Sequence, residues 1–188
     1  MTAVTLDVRD APSVRVVLFS GGRGSGALAT TLIRTPGVVL TIAINGYDDG
    51  ASTGEVRRFL GDALGPSDFR KNASRLASEL KTCSAALVAL LDRRLPADST
   101  AATLTSLITT LRQADAADAG AATPPEEPRA QIATRLERFA TELAGGRQFN
   151  FDDCSVGNLV FAGSYLLVNR QFNLAVDDYA SLRGSRPG

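Results

Sequence analysis

A chain of 188 residues, 44% hydrophobic and 21% charged, carries enough apolar material for one domain or slightly more. Lys and Arg together number 20, as do Asp and Glu, and this balance argues against a nucleic-acid backbone as partner. Histidine is absent and there are two cysteines, Cys83 and Cys154, which excludes His-based catalysis, His-liganded metals and a disulfide framework.

No apolar run approaches a membrane span, and the N-terminal stretch has acidic residues before a short apolar run, unlike a signal peptide. A cytoplasmic protein with no membrane partner is the expectation. Residues 14–19 (VRVVLF) form a short, continuously apolar, β-branched run typical of a buried strand. It ends in Ser20-Gly21-Gly22-Arg23-Gly24-Ser25-Gly26, after which residues 27–33 read as a helix closed by Pro36-Gly37. Residues 38–44 (VVLTIAI) are a second buried-type strand. Strand, glycine loop, helix and strand argue for a βαβ unit in a parallel sheet covered on both faces.

The loop NGYDDGASTG follows, and residues 55–60 read as a short helix capped by Thr53. After a turn-rich stretch, a single long helix is expected from Asp68 to about Leu91, because Leu76, Leu80, Cys83, Leu87 and Leu90 recur at helical spacing. Residues 92–130 are rich in Ala, Thr, Asp and Pro and read as an insertion or flexible connection. Leu104, Leu107, Ile108 and Leu111 suggest two helical turns within it. Ile132, Leu136, Phe139 and Leu143 mark an amphipathic helix stopped by Gly145-Gly146. An apolar helix over residues 159–168 and a last helix carrying Phe172, Ala175, Val176 and Tyr179 complete the chain.

Chemistry is concentrated in four places. The glycines of residues 21–26 leave backbone amides open before a helix N-terminus, which favours phosphate binding over a turn without a ligand. The spacing matches neither Gly-x-Gly-x-x-Gly nor a Walker A loop. Asp48 and Asp49 fall at the carboxyl end of the second strand, where ligands bind in open parallel sheets. They suit Mg²⁺, a sugar hydroxyl, or an Asx turn that caps nearby amides. Asp68 suits a helix N-terminus on dipole grounds, whereas Arg70 and Lys71, like Arg23, suit phosphates. Gly157-Asn158 opens an apolar helix, and by itself reads best as an ordinary glycine entry to a core helix. Cys154 lacks a histidine partner and reads as a small buried residue.

Four segments in order resemble the superfamily that contains 2-phospho-L-lactate transferase (CofD) and the gluconeogenesis factor YvcK. They are Gly21-Gly22-Arg23-Gly24; DDGASTGEVRR from Asp48; Gly65-Pro66-Ser67-Asp68-Phe69-Arg70; and Ser155-Val156-Gly157-Asn158-Leu159. The detail is closest to YvcK, and the resemblance covers about residues 14–91 and 149–180. It implies a Rossmann-like, three-layer α/β fold over residues 1–188 with a mostly parallel sheet. Because family members are longer, it also implies a sheet incomplete at the C-terminus, in a fragment or one half of a split protein. CofD-type members transfer a phosphoester from a nucleotide-activated donor to an alcohol with Mg²⁺; YvcK-type members bind UDP-sugars in a regulatory role.

Carried over, Gly21, Gly22, Arg23, Gly24, Ser25, Gly26, Ser52, Thr53, Arg70, Lys71, Gly157 and Asn158 would bind phosphate or nucleotide. Asp48, Asp49 and Asp68 would be catalytic, with Asp48 and Asp49 holding Mg²⁺. Arg23 in place of the usual Thr, Ser20 for Gly, Lys71 for Asn and Cys154 for His are departures, and the first makes the loop more cationic. The expected function is a CofD-like transferase acting on a GDP- or UDP-type donor, the alternative a YvcK-like UDP-sugar-binding regulator. The expected assembly is a homodimer or an association with a C-terminal half.

Overall fold

The computed structural model describes residues 13–20, 23–44, 46–61, 63–114 and 123–183. The chain is mixed α/β, with eight α-helices and a two-stranded parallel sheet among the described residues. It divides into two compact units, Met1–Ile44 and Asn45–Gly188.

The first unit is the expected βαβ. Strand β1 (Val14–Ser20) pairs in parallel with β2 (Val38–Ile44), in a register from Val14↔Val38 to Ser20↔Ile44. Between them come a 3-10 turn (Arg23–Ser25) and helix α1 (Gly26–Arg34). Gly37, at φ 76°, makes the reversal into β2, and its carbonyl accepts the Val14 amide at 2.7 Å. The continuous apolar runs led us to expect a sheet covered on both faces. Instead Val17 is 57% and Phe19 83% exposed, as is half of Val39. A side chain alternates faces every residue along a strand, so Val17 and Phe19 share a face, and that face is exposed among the described residues.

The second unit is helical: α2 (Ala51–Phe59), α3 (Ser67–Leu80), α4 (Ala85–Asp92), α5 (Ala101–Gln113), α6 (Glu126–Leu143), α7 (Val156–Leu167) and α8 (Phe172–Ser181). Helix α7 is its centre. Every residue from Val156 to Ser164 is buried, with α6 and α8 packed alongside. Leu87, Leu91, Leu104, Ile132, Leu136 and Leu159 are at most 1% exposed and form one continuous core. Phe59, Phe139, Phe149 and Phe151 pack edge-on or tilted at 4.9 to 5.3 Å between ring centroids.

Several expected elements are corrected. The single helix from Asp68 to Leu91 is two. Lys81 leaves α3 in the left-handed region at φ 52°, and Ser84 caps α4 by accepting the Leu87 amide at 3.2 Å. Helix α2 starts at Ala51 with Gly50 as its N-cap, which puts Thr53 inside the first turn rather than at the cap. Helix α7 starts earlier than residue 159, with Ser155 at its N-cap. Helix α6 starts at Glu126, and Pro128 fits because the first-turn amides of a helix have no intrahelical partner.

Within residues 92–130, α5 is a full 13-residue helix rather than two turns. Its Leu104, Leu107 and Leu111 enter the core, and Thr100 with Thr103 form a capping box. Arg112 ties α5 to α6 through two bonds to Glu137, at 2.9 and 2.7 Å. Glu137 is held below the usual carboxylate range by that hydrogen-bonded guanidinium.

Candidate functional site

In the first unit, Gly21, Gly22 and the side chain of Arg23 lie outside the described residues. The Ser20 and Ser25 hydroxyls meet at 2.6 Å and close the loop across it. Helix α1 then begins at Gly26 with no side-chain cap and no acidic residue in its first turn. A Cβ at Gly24 would meet nothing within 4 Å, so packing does not demand glycine there. Glycine at that position is what a backbone kept open to a ligand would need.

In the second unit, three of the residues singled out in the sequence meet directly. Ser52 lies in the first turn of α2, Asn158 in the first turn of α7, and Arg70 near the start of α3. Asn158 Nδ2 donates to Ser52 Oγ at 2.6 Å, and Arg70 Nε donates to Asn158 Oδ1 at 3.0 Å. Ser52 Oγ also accepts the Ser155 amide and donates to Cys154 Sγ, both at 3.3 Å. All are buried, with Arg70 only 6% exposed.

The network continues into residues the sequence did not mark. Arg70 Nη1 bonds to Asp92 Oδ1, which also accepts Ser74 Oγ at 2.9 Å. Arg183 Nη2 donates to Ser74 Oγ and to the Tyr179 hydroxyl, each at 3.0 Å, and its guanidinium lies 4.5 Å from the Tyr179 ring centre. Burial pushes the Tyr179 hydroxyl pKa up, with Arg183 and Arg70 opposing it.

Gly157 is held by packing. A Cβ there would sit 2.6 Å from both Arg70 Cδ and the Leu91 carbonyl, and 2.7 Å from the Tyr179 hydroxyl. The amide of Asn158 is taken by Ser155 Oγ at 3.3 Å. Thr53 faces Gly65, where an added Cβ would come within 2.8 Å of Thr53 Cγ2. Asp68 pairs with Lys71 at 3.0 Å, one turn along the same helix.

The aspartate pair splits. Asp48 Oδ1 accepts the Gly50 amide at 3.2 Å, an Asx turn leading into α2. Asp49 Oδ1 lies 3.5 Å from Arg57 Nη1 and 3.7 Å from Arg58 Nη1. It also rests on Gly54, where a Cβ would come within 2.6 Å of that oxygen. Mg²⁺ takes one or two carboxylates and completes its shell with water and phosphate oxygens. Asp48, which forms no ion pair among the described residues, fits that role; Asp49, turned onto α2 and neutralised by two arginines, does not. No group of three or more His, Cys, Asp or Glu is gathered at metal-binding distance among the described residues.

Burial pushes the Cys154 thiol up from 9.0 to about 11, against smaller opposing effects of the Ser52 bond, Arg94 and Arg70. A neutral thiol in the folded state costs nothing below pH 9. Above it the unfolded chain loses its proton first, so stability falls as pH rises towards 11. By linkage the loss over this window is about 3 kcal/mol. Urea titrations of the wild type and Cys154→Ala at pH 8.5 and 10.5 should show the wild type losing more, and equal losses would refute the assignment.

No family model, curated protein or solved structure matched this chain. No helix of the described residues is long and apolar enough to cross a membrane.

Proposed function

We propose that the chain is a member of the CofD/YvcK superfamily on a Rossmann-like fold, and that it binds a nucleotide-linked small molecule through its phosphates. The observation that carries this reading is the direct meeting of Ser52, Arg70 and Asn158. They come from three of the four separated segments on which the resemblance rests, and no single-segment rule of local structure brings them together. The uncapped start of α1 behind the glycine loop adds a second basis, since a helix N-terminus with open amides favours an anion.

As a transferase, the protein would move a phosphoester-type group from a nucleoside-diphosphate-linked donor to an alcohol. The acceptor oxygen forms a bond to phosphorus as the bond from phosphorus to the nucleotide's phosphate oxygen breaks. The nucleoside monophosphate leaves with the electron pair, and the hydroxyl proton passes to a carboxylate or water. Such transfers depend on positioning and charge stabilisation more than on a side-chain nucleophile, which suits a chain without histidine. Residues 21–26 would cradle phosphate and Asp48 would hold Mg²⁺, which supplies charge neutralisation when bound. Asp68, paired with Lys71, would orient the acceptor.

The regulatory, UDP-sugar-binding reading is favoured by one observation: Asp49 is committed to Arg57 and Arg58 instead of standing beside Asp48 for a shared cation. Partners would be a second copy or a C-terminal half, for which the exposed Val17 and Phe19 offer an apolar strand face.

Thermal shift with GDP, UDP, UDP-N-acetylglucosamine and NAD, with and without Mg²⁺, separates these readings. A diphosphate shift that needs Mg²⁺ and is lost in Asp48→Asn supports the transferase. A Mg²⁺-independent UDP-sugar shift, unchanged in Asp48→Asn, supports the regulator, and silence from every nucleotide removes both. Gly24→Ala provides the companion test. Its Cβ has open space, so stability should change by no more than about 0.5 kcal/mol, while nucleotide affinity falls. Unchanged affinity would remove the loop from the binding site.

A further inference from the structure

A cavity of about 460 Å³ opens between α4, α5 and the start of α6, outside the four segments that carry the nucleotide reading. Its volume falls within the range of small-molecule pockets. Leu90, Leu107, Leu111 and Ala89 supply an apolar wall, and the charged residues of its lining are Arg93 and Arg129. Among the described residues, no acidic residue is part of that lining.

Arg129 is buried in the wall of this cavity. It is only 5% exposed, yet its Nε has no hydrogen-bond partner and its guanidinium no carboxylate among the described residues. Arg70 and Arg135 are compensated by carboxylates, whereas Arg183, which is no part of this lining, also keeps Nε and Nη1 without a partner. Arg70 pairs with Asp92, Arg135 grips Asp178 through two bonds at 2.7 and 2.8 Å, and Arg183 bonds to Ser74 and Tyr179. A buried guanidinium without an anion is costly and needs a compensating partner. Arg93, exposed at the same cavity, adds a second positive charge.

We propose that this cavity binds a small amphipathic carboxylate, with its apolar body against Leu90, Leu107 and Leu111 and its carboxylate on Arg129. An uncharged apolar ligand would leave the Arg129 charge uncompensated, and a hydrophilic anion such as free phosphate would leave the leucine wall wet. Arg93 at the rim favours entry of an anion. The site is independent of the nucleotide reading, because none of its residues belongs to the four resembling segments.

Calorimetric titration of the full chain with decanoate, kept below its micelle concentration, tests the proposal beside decanol as the uncharged counterpart. Saturable one-to-one binding of decanoate is expected, with decanol weaker by about tenfold or more, the worth of a charge-assisted hydrogen bond. Arg129→Met should weaken decanoate binding by at least as much, and should melt no lower than the wild type when ligand-free, since it removes an uncompensated charge. Ala89→Phe fills the cavity from an exposed position, so it should lower decanoate affinity in a fully folded protein and decides the matter if Arg129→Met does not fold.

The proposal is overturned if the wild type shows no saturable binding, if decanol binds as tightly as decanoate, or if either variant binds as the wild type does. Asp115 and Asp118, outside the described residues, are the acidic residues of the sequence between α5 and α6. Decanoate binding that appears only in the Asp115→Asn, Asp118→Asn variant would assign Arg129 to them and likewise overturn the proposal.

Discussion

Gly163→Ala is expected to be the most destabilising single-methyl substitution in the second unit. A Cβ at this position would lie 2.0 Å from the Arg135 carbonyl oxygen, 2.5 Å from its carbonyl carbon and 2.9 Å from its Cα. These are backbone atoms of α6, so no rotamer change relieves the contact, and α6 and α7 must move apart. That movement is resisted. Arg135 is fixed by two bonds to Asp178 on α8, and its Nη1 bonds to the Gln131 carbonyl at 2.8 Å. Ile132, Leu136 and Phe139 on the same helix are fully buried and would lose contact together.

Overpacking a well-filled core usually costs up to about 3 kcal/mol, and a clash with rigid backbone belongs at or beyond that end. For a chain of this size the corresponding fall in melting temperature is about 10 °C. Thermal unfolding followed by circular dichroism checks it, with Gly24→Ala as the control in open space. A fall no larger than the control's would mean that α6 and α7 are not in contact at this glycine.

How much of this was legible beforehand depends on how far apart the interacting residues stand in the chain. The strands of the first unit were, because residues 14–19 and 38–44 are Val- and Ile-rich apolar runs, interrupted only by Arg15 and Thr41 and flanked by glycine. The exposed sheet face was not, since an apolar run shows capacity for burial and says nothing of which layer is present. The fusion of α3 and α4 into one expected helix came from periodicity. Leu76, Leu80, Cys83, Leu87 and Leu90 keep helical spacing across the break, and the Ser84 cap that resolves it is a local signal outweighed by that pattern.

Helix α5 was underestimated because threonine lowers helix propensity, although Leu104, Leu107 and Leu111 already defined its buried face. At the candidate site, Arg70 was marked by its charge near a helix N-terminus, and Ser52 and Asn158 through the resemblance. Asp92 and Arg183 were missed because their partners are set by tertiary packing: Arg70 reaches Asp92 across 22 positions, and Arg183 reaches Ser74 across 109. A signal was present in Asp92 itself, a carboxylate directly after Leu90-Leu91, where a buried arginine elsewhere would find its counter-charge.

Asn158→Leu should destabilise the protein by about 3 kcal/mol, because it breaks the buried cluster at its central member. Leucine fills nearly the same volume, so the loss is polar rather than steric. Arg70 Nε loses its acceptor while remaining charged and 6% exposed, and Ser52 Oγ loses the shortest of its bonds, at 2.6 Å. Ser52→Ala removes the other side of the same contact and leaves the Asn158 amide group and the Ser155 amide without an acceptor, for about 1 to 3 kcal/mol.

The two effects should not add. Once either residue is gone, the contact is already lost, so the double variant should be more stable than the sum predicts, by about 1 kcal/mol. Urea unfolding of the four members of this cycle measures the coupling, and strict additivity would mean the pair is not a working contact. The same four proteins separate structure from binding. These side chains are already engaged with one another, and the Ser155, Val156 and Asn158 amides at the start of α7 are taken by Ser52, Arg93 and Ser155. Nucleotide affinity in Ser52→Ala should therefore fall less than stability does. A variant of near-normal stability that has lost all nucleotide binding would instead make the Ser52 hydroxyl itself the ligand contact.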